Sequence, residues 1–225
     1  MRPHRRTALP RLYLITDGAL ASAEAAAPAS RALSDPVGAA IAAVPPGTIA
    51  VQLRAGAVAA GPLSRLAHSL RQVVGARGCP LLINDRLDVA LAVGADGVHL
   101  PERGLSVATA RALGGPDLLI GVSTHTPADA ARAARDGADL IVLSPIWATP
   151  SKPGVAPLGP DALTAAAAQL GDAKLFALGG IDSPARARRA RAAGAYGVAG
   201  IRGFSRQPAD TAELYQAVTF ALQNA

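Results

Sequence analysis

The chain has 225 residues, half of them hydrophobic, a single cysteine and a formal net charge of +6. That length and apolar content suit one large domain with its own core and exclude a disordered chain. Cys79 alone cannot form an internal disulfide, no apolar run reaches the ~18 residues of a membrane span, and aromatic residues at 3% give few platforms for stacked bases.

Residues 1–10, "MRPHRRTALP", are basic with no apolar run behind them, so they read as a tail ahead of a domain spanning 11–225. Arg2, Arg5 and Arg6 and the stretch "PARARRARAAG" hold much of the excess charge. It is read as solvated faces plus attraction for anionic substrates, not as a nucleic-acid surface.

From residue 11 onward, short apolar runs alternate with alanine-rich helical stretches. The runs are "RLYLITDG" (11–18), "TIAVQLR" (48–54), "PLLIND" (80–85), "DGVHL" (96–100), "LLIGVST" (118–124), "LIVLSPI" (140–146), "KLFALGG" (174–180) and "GVAGIRG" (197–203). Each is short and continuously apolar, as in a parallel sheet covered by helices. Between them, Leu63, Leu66, Leu70 and Val73 mark one helix face. Thr126–Pro127 and Ser183–Pro184 mark capped helix starts, closed by Gly137 and Gly194. The segment 19–47 is the least regular and is read as a loose loop before the first helix. Eight strand–helix units predict an α/β fold, a single-domain (β/α)8 TIM barrel. An open doubly wound sheet would call for an early glycine-rich fingerprint, which is missing.

Chemistry in such barrels gathers where the strands end. The first run ends on Thr16 and Asp17, which are read as structural. The second carries Gln52 and Arg54 on one face, the third ends on Asn84 and Asp85, and the fourth carries His99. The fifth ends on Ser123, Thr124 and His125. The sixth leads into "ATPSKPG", with Thr149, Ser151 and Lys152 on a proline-stiffened loop. The seventh ends on Gly179 and Gly180, and the eighth on Gly200, Ile201 and Arg202. Glycines after strands seven and eight let backbone N–H groups approach a phosphate, with Lys152 as counter-charge. Gly179–Gly180 would serve equally as a plain tight turn. Arg54 suits a carboxylate or phosphate clamp, or an ion pair with Asp17 or Asp85. Asp85 suits a metal or a helix cap. His99, inside a strand, reads as a satisfied barrel histidine. No G-x-S-x-G elbow supports pairing Ser123 with His125 in a hydrolase.

The strings "YLITD", "VQLR", "LLINDRLDVALAVGADGVHL", "IGVSTHT", "LSPIWATPSKPG", "ALGGI" and "GVAGI" resemble the thiamine phosphate synthase/TenI superfamily, in order, from about residue 11 to 204. The resemblance implies a (β/α)8 barrel acting in thiamine biosynthesis, by one of two reactions. The synthase joins a pyrimidine methyl diphosphate to a thiazole phosphate and releases pyrophosphate. The TenI-type tautomerase moves a proton to aromatise a thiazole carboxylate phosphate. The resemblance implies "QLREK" and "HLGQED" for the synthase, whose lysine holds pyrophosphate and whose aspartate helps hold magnesium. Here Gly56 and Gly104 stand at those positions, while Asp85, the other magnesium-type aspartate, is present.

A leaving pyrophosphate needs counter-charge, whereas a proton shift needs one acid/base near neutrality. The expected activity is therefore the thiazole tautomerase, with His125 as catalyst; the resemblance implies this histidine in the synthase as well, so Gly56 and Gly104 carry the choice and His125 does not. Thiamine phosphate synthase is the alternative, and a non-catalytic thiazole- or thiamine-phosphate-binding barrel the second. The tautomerase would need no cofactor; the synthase would need Mg2+, with Asp85 as ligand. The expected partner is a small thiazole phosphate, with no nucleic acid and no membrane, in the cytoplasm. A homo-oligomer is left open.

Overall fold

The computed structural model describes residues 9–26, 31–201, 204 and 208–219. Eight parallel strands close into a barrel in chain order. They are β1 (Leu12–Ile15), β2 (Ile49–Leu53), β3 (Leu81–Asn84), β4 (Gly97–Leu100), β5 (Leu119–Thr124), β6 (Leu140–Leu143), β7 (Lys174–Leu178) and β8 (Gly197–Gly200). The helices are α1 (Gly18–Ala26), α2 (Ser34–Ala42), α3 (Ala60–Gly75), α4 (Leu87–Val93), α5 (Val107–Gly114), α6 (Pro127–Arg135), α7 (Pro160–Ala167), α8 (Pro184–Ala192) and α9 (Pro208–Thr219).

The strands are apolar throughout because both of their faces are buried. Side chains alternate, so Leu12 and Leu14 join the outer core under the helices, while Tyr13 and Ile15 join Leu82, Leu140, Val142 and Phe176 inside the barrel. The expected (β/α)8 architecture is the observed one. Residues 1–8 of the expected tail lie outside the described residues.

Local helix signals hold. Thr126 Oγ1 accepts from Asp129 N at 3.1 Å and Ser183 Oγ from Arg186 N at 3.5 Å, each ahead of a proline in the first turn. On α3 the buried face is Leu63, Leu66, Leu70 and Val74; Val73 is only partly buried. The segment 19–47 departs from expectation. It holds two helices, α1 and α2, tied by the buried Glu24 carboxylate, which accepts from Leu33 N at 2.6 Å, Ser34 N at 3.3 Å and Ser34 Oγ at 2.5 Å. That tie spans nine to ten residues, so no local motif announces it.

Candidate active site

The strand ends converge on one cavity of about 990 Å³. β2 supplies Gln52 and, just beyond its end, Arg54; β3 supplies Asn84 and, just beyond, Asp85; β5 supplies Ser123 and, just beyond, His125. The loop after β6 supplies Thr149, Ser151 and Lys152, the end of β7 Gly179 and Gly180, and the end of β8 Ile201. Arg202 lies outside the described residues.

The floor is a polar chain inside the barrel. Tyr13 Oη lies 3.2 Å from His99 Nδ1, and His99 Nε2 lies 2.8 Å from Ser123 Oγ. Register pairs His99 with Gly121, where a Cβ would come within 2.6 Å of His99 Nδ1, so glycine makes room for the ring. Burial pushes the His99 pKa down to about 3 and the Tyr13 pKa well up, so both are neutral. A buried phenol must spend its proton on an acceptor, and Nδ1 is the one at hand. That assigns the ring proton to Nε2, which donates to Ser123 and leaves the Ser123 hydroxyl proton for the cavity. His99 is thus the satisfied barrel histidine that the sequence suggested. Beside it, Gln52 Nε2 donates to Asn84 Oδ1 at 3.0 Å, while the buried Gln52 Oε1 has no hydrogen-bond partner.

Thr16 and Asp17 are structural. Thr16 Oγ1 donates to Arg54 O at 3.0 Å and accepts from Arg54 N at 2.8 Å, sewing β1 to β2. Asp17 Oδ1 accepts from Ala19 N at 2.9 Å at the start of α1. Among the described residues, the ion pairs do not include Arg54 with Asp17 or Asp85, so its guanidinium is left to the cavity.

His125 sits at the end of β5 with three groups around it. Nδ1 lies 2.7 Å from Ser144 O. A carbonyl only accepts, so Nδ1 carries the proton and Nε2 presents a lone pair. Lys152 Nζ lies 3.3 Å from Nε2 and 3.4 Å from Nδ1, so the loop "ATPSKPG" delivers its ammonium to the histidine. Desolvation lowers the Lys152 pKa; the charge of Arg54 lowers it further and that of Glu102 opposes both. Glu102, on the loop after β4, places Oε2 3.8 Å from His125 Nε2. In the sequence the same loop stands out for the glycine at 104, with Glu102 and Arg103 as neighbouring charges out of register with the missing aspartate. The Glu102 contact and the Ser144 carbonyl become visible only when the ends of β4, β5 and β6 are brought together.

Gly179 (φ 100°) and Gly180 (φ 66°) occupy left-handed backbone. A Cβ on Gly179 would lie 2.9 Å from Pro145, and one on Gly180 2.8 Å from Ala148 O. Glycine is therefore required to seat the β7 turn on the β6–α7 loop, whatever binds there. The N-terminus of α8 opens beside it, with Ser183 and Pro184 on the cavity wall.

Asp85 does not cap α4, which begins at Leu87 with no side-chain cap. It holds a left-handed backbone (φ 64°). A Cβ at Gly104 would lie 3.2 Å from Asp85 Oδ1, so position 104 faces Asp85 as a second metal carboxylate would. The same Cβ would lie 2.8 Å from the Pro101 ring, and no cluster of three acidic, histidine or cysteine ligands occurs among the described residues. Asp85 is thus without the second carboxylate that the resemblance implies for magnesium, which leaves a weaker site for a hard divalent ion.

A family model described as thiamine monophosphate synthase matches residues 12–204. The chain belongs to that family. Relatives within it include the thiamine-phosphate synthase of Gloeobacter violaceus, 46% identical over 132 residues, 59% of this chain and 38% of that one. The putative thiamine-phosphate synthase of Geobacter sulfurreducens is 47% identical over 136 residues, 60% of this chain and 63% of that one. The chain thus spans less than two thirds of these two relatives' length. The thiamine-phosphate synthase of Chloroflexus aurantiacus is 40% identical over 173 residues, 76% of this chain and 74% of that one. Among solved structures, a thiamine phosphate pyrophosphorylase from Pyrococcus furiosus superposes with a TM-score of 0.78 at 27% identity, covering 95% of this chain and 97% of that one.

Proposed function

We propose that the chain is an enzyme of thiamine biosynthesis that acts on a thiazole phosphate, and that its reaction is the tautomerase step. Gly56 and Gly104 set this reading ahead of the synthase, and the observation that carries its chemistry is His125. Its Nδ1 is spent on Ser144 O, and its Nε2 lone pair is turned to the cavity within reach of Lys152 and Glu102. Nε2 takes a proton from one carbon of the unaromatised thiazole carboxylate phosphate as that C–H bond breaks. The electron pair enters the ring, and a proton is delivered to a second carbon. Charge balances without metal or organic cofactor. A substrate bearing phosphate and carboxylate draws the Lys152 ammonium off Nε2 and frees the base. Arg54 is a second cation for the carboxylate, and the α8 N-terminus with the Gly179–Gly180 turn takes the phosphate.

The test is a paired assay on one preparation. The unaromatised thiazole carboxylate phosphate is supplied alone, then thiazole phosphate with the pyrimidine diphosphate and Mg2+. Aromatisation that falls about 100-fold or more in His125→Asn supports the reading. Pyrophosphate release in the second arm with no aromatisation in the first overturns it. Binding of thiazole phosphate without turnover in either arm leaves a non-catalytic barrel.

A second reading, thiamine phosphate synthase, is favoured by the names of the relatives and by one contact. The unpartnered Gln52 Oε1 is a buried acceptor that a ligand N–H, such as a pyrimidine amino group, would satisfy. Gly56 and Gly104 weigh against it, because neither offers the charge that a leaving pyrophosphate needs.

A further inference from the structure

The β4–α5 loop brings an unassigned carboxylate to the catalytic ring. Gly104 N donates to Pro101 O at 2.9 Å, closing a tight turn that carries Glu102. Glu102 lines the cavity, lies 3.8 Å from His125 Nε2, and keeps 44% of its side chain exposed. His125 is 36% exposed. Among the described residues Glu102 pairs with no arginine, Arg103 included, and its ion-pair partner is His125. It also acts on the Lys152 ammonium through its charge. One carboxylate therefore faces the proton-carrying ring on one side and water on the other.

We propose that Glu102 is the proton exchanger of this site, linking His125 Nε2 to solvent during the proton shift. The inference rests on the tautomerase reading. Once Nε2 has taken the carbon-bound proton, the imidazolium N–H and the Glu102 carboxylate are oppositely charged and separated by less than 4 Å. A small movement of an exposed side chain makes the hydrogen bond. The proton passes from Nε2 to the Glu102 oxygen and exchanges with water. A solvent-derived proton then returns by the same path and is delivered to the second carbon. One C–H bond breaks, another forms, and both side chains end as they began. Without Glu102, Nε2 has no carboxylate within reach, so the captured proton leaves the ring more slowly and a larger share of it is handed on to the substrate.

This separates two histories of the delivered hydrogen. The substrate is labelled with deuterium at the carbon that loses its proton, and turnover is followed in ordinary water by mass spectrometry of the aromatised product. The wild type is expected to wash out most of the label. Glu102→Gln, which keeps size and polarity at an exposed position, is expected to turn over about tenfold or more slowly and to retain a several-fold larger share of the label. Glu102→Asp, which keeps the charge, is expected to restore washout in part. A merely structural side chain would alter the rate without altering label retention. Equal retention in wild type and Glu102→Gln, with product formed by both, overturns the role of Glu102 and leaves the tautomerase reading standing. No aromatised product from the wild type overturns that reading, and the present one with it.

Discussion

At the scale of single residues, His99 makes a prediction that is independent of the reaction. Its folded pKa is about 3, pushed down by burial, against an ordinary value of about 6.5 when unfolded. Between those values the unfolded chain binds a proton that the folded chain does not. Stability from this group is therefore complete above pH 6.5 and is lost as the pH falls toward 3. At about 1.36 kcal/mol per unit, two units of that window are on the order of 3 kcal/mol. Urea unfolding at pH 7.5 and pH 4.5 is expected to cost the wild type about 2–3 kcal/mol more than His99→Gln, whose amide does not titrate. Equal losses in the two proteins would show that His99 is not held neutral. The sequence disclosed that His99 sits inside a strand and is a satisfied histidine. It did not disclose Tyr13 as the partner, because the two residues are 86 apart in the chain and meet only through barrel closure. Glu102 was legible only as a neighbouring charge, out of register with the missing aspartate; its contact with His125 depends on β5 and could not be read from its own loop.

At the scale of elements, what the sequence revealed follows the range of the interaction. α6 and α8 carry their caps within three residues of their starts, and both were readable from Thr126 and Ser183. α2 has no side-chain cap of its own: Leu33 precedes it, and its first N–H groups are satisfied by Glu24 from α1. Without that remote carboxylate, 19–47 looks like an Ala-, Ser- and Pro-rich loop. The consequence can be measured. Glu24→Ala leaves Leu33 N, Ser34 N and Ser34 Oγ without their buried acceptor, a loss of about 1–3 kcal/mol. Ser34→Ala removes only the hydroxyl bond and is expected to cost about 0.5–1.5 kcal/mol. Denaturant midpoints of the two variants should fall in that order. The reverse order would mean that Ser34 holds α2 and the Glu24 bonds to the backbone do not.

At the scale of the whole molecule, closure of eight strands explains why so much of the site was readable. Once the runs are taken as a barrel, each strand end must point to one rim, and the polar residues found there share a cavity without any contact being known. Which reaction that rim supports depends on fewer atoms. Position 104 faces Asp85 across the β3 and β4 ends, and Pro101 fills the space that a side chain there would need. Gly104→Asp alone is therefore expected to strain the loop and to bind Mg2+ poorly. Pro101→Gly with Gly104→Asp removes the ring that blocks the Cβ and sets two carboxylates side by side, an oxygen pair that suits a hard divalent ion. Titration of Mg2+ by calorimetry is expected to show saturable binding in the double variant, at least tenfold tighter than in the wild type. Wild-type binding as tight as that of the double variant would mean that Asp85 already has enough oxygen partners, and would return the synthase reading to first place. A double variant that binds Mg2+ and still releases no pyrophosphate would locate the remaining deficit at Gly56, where the missing lysine is the other charge that the leaving group lacks.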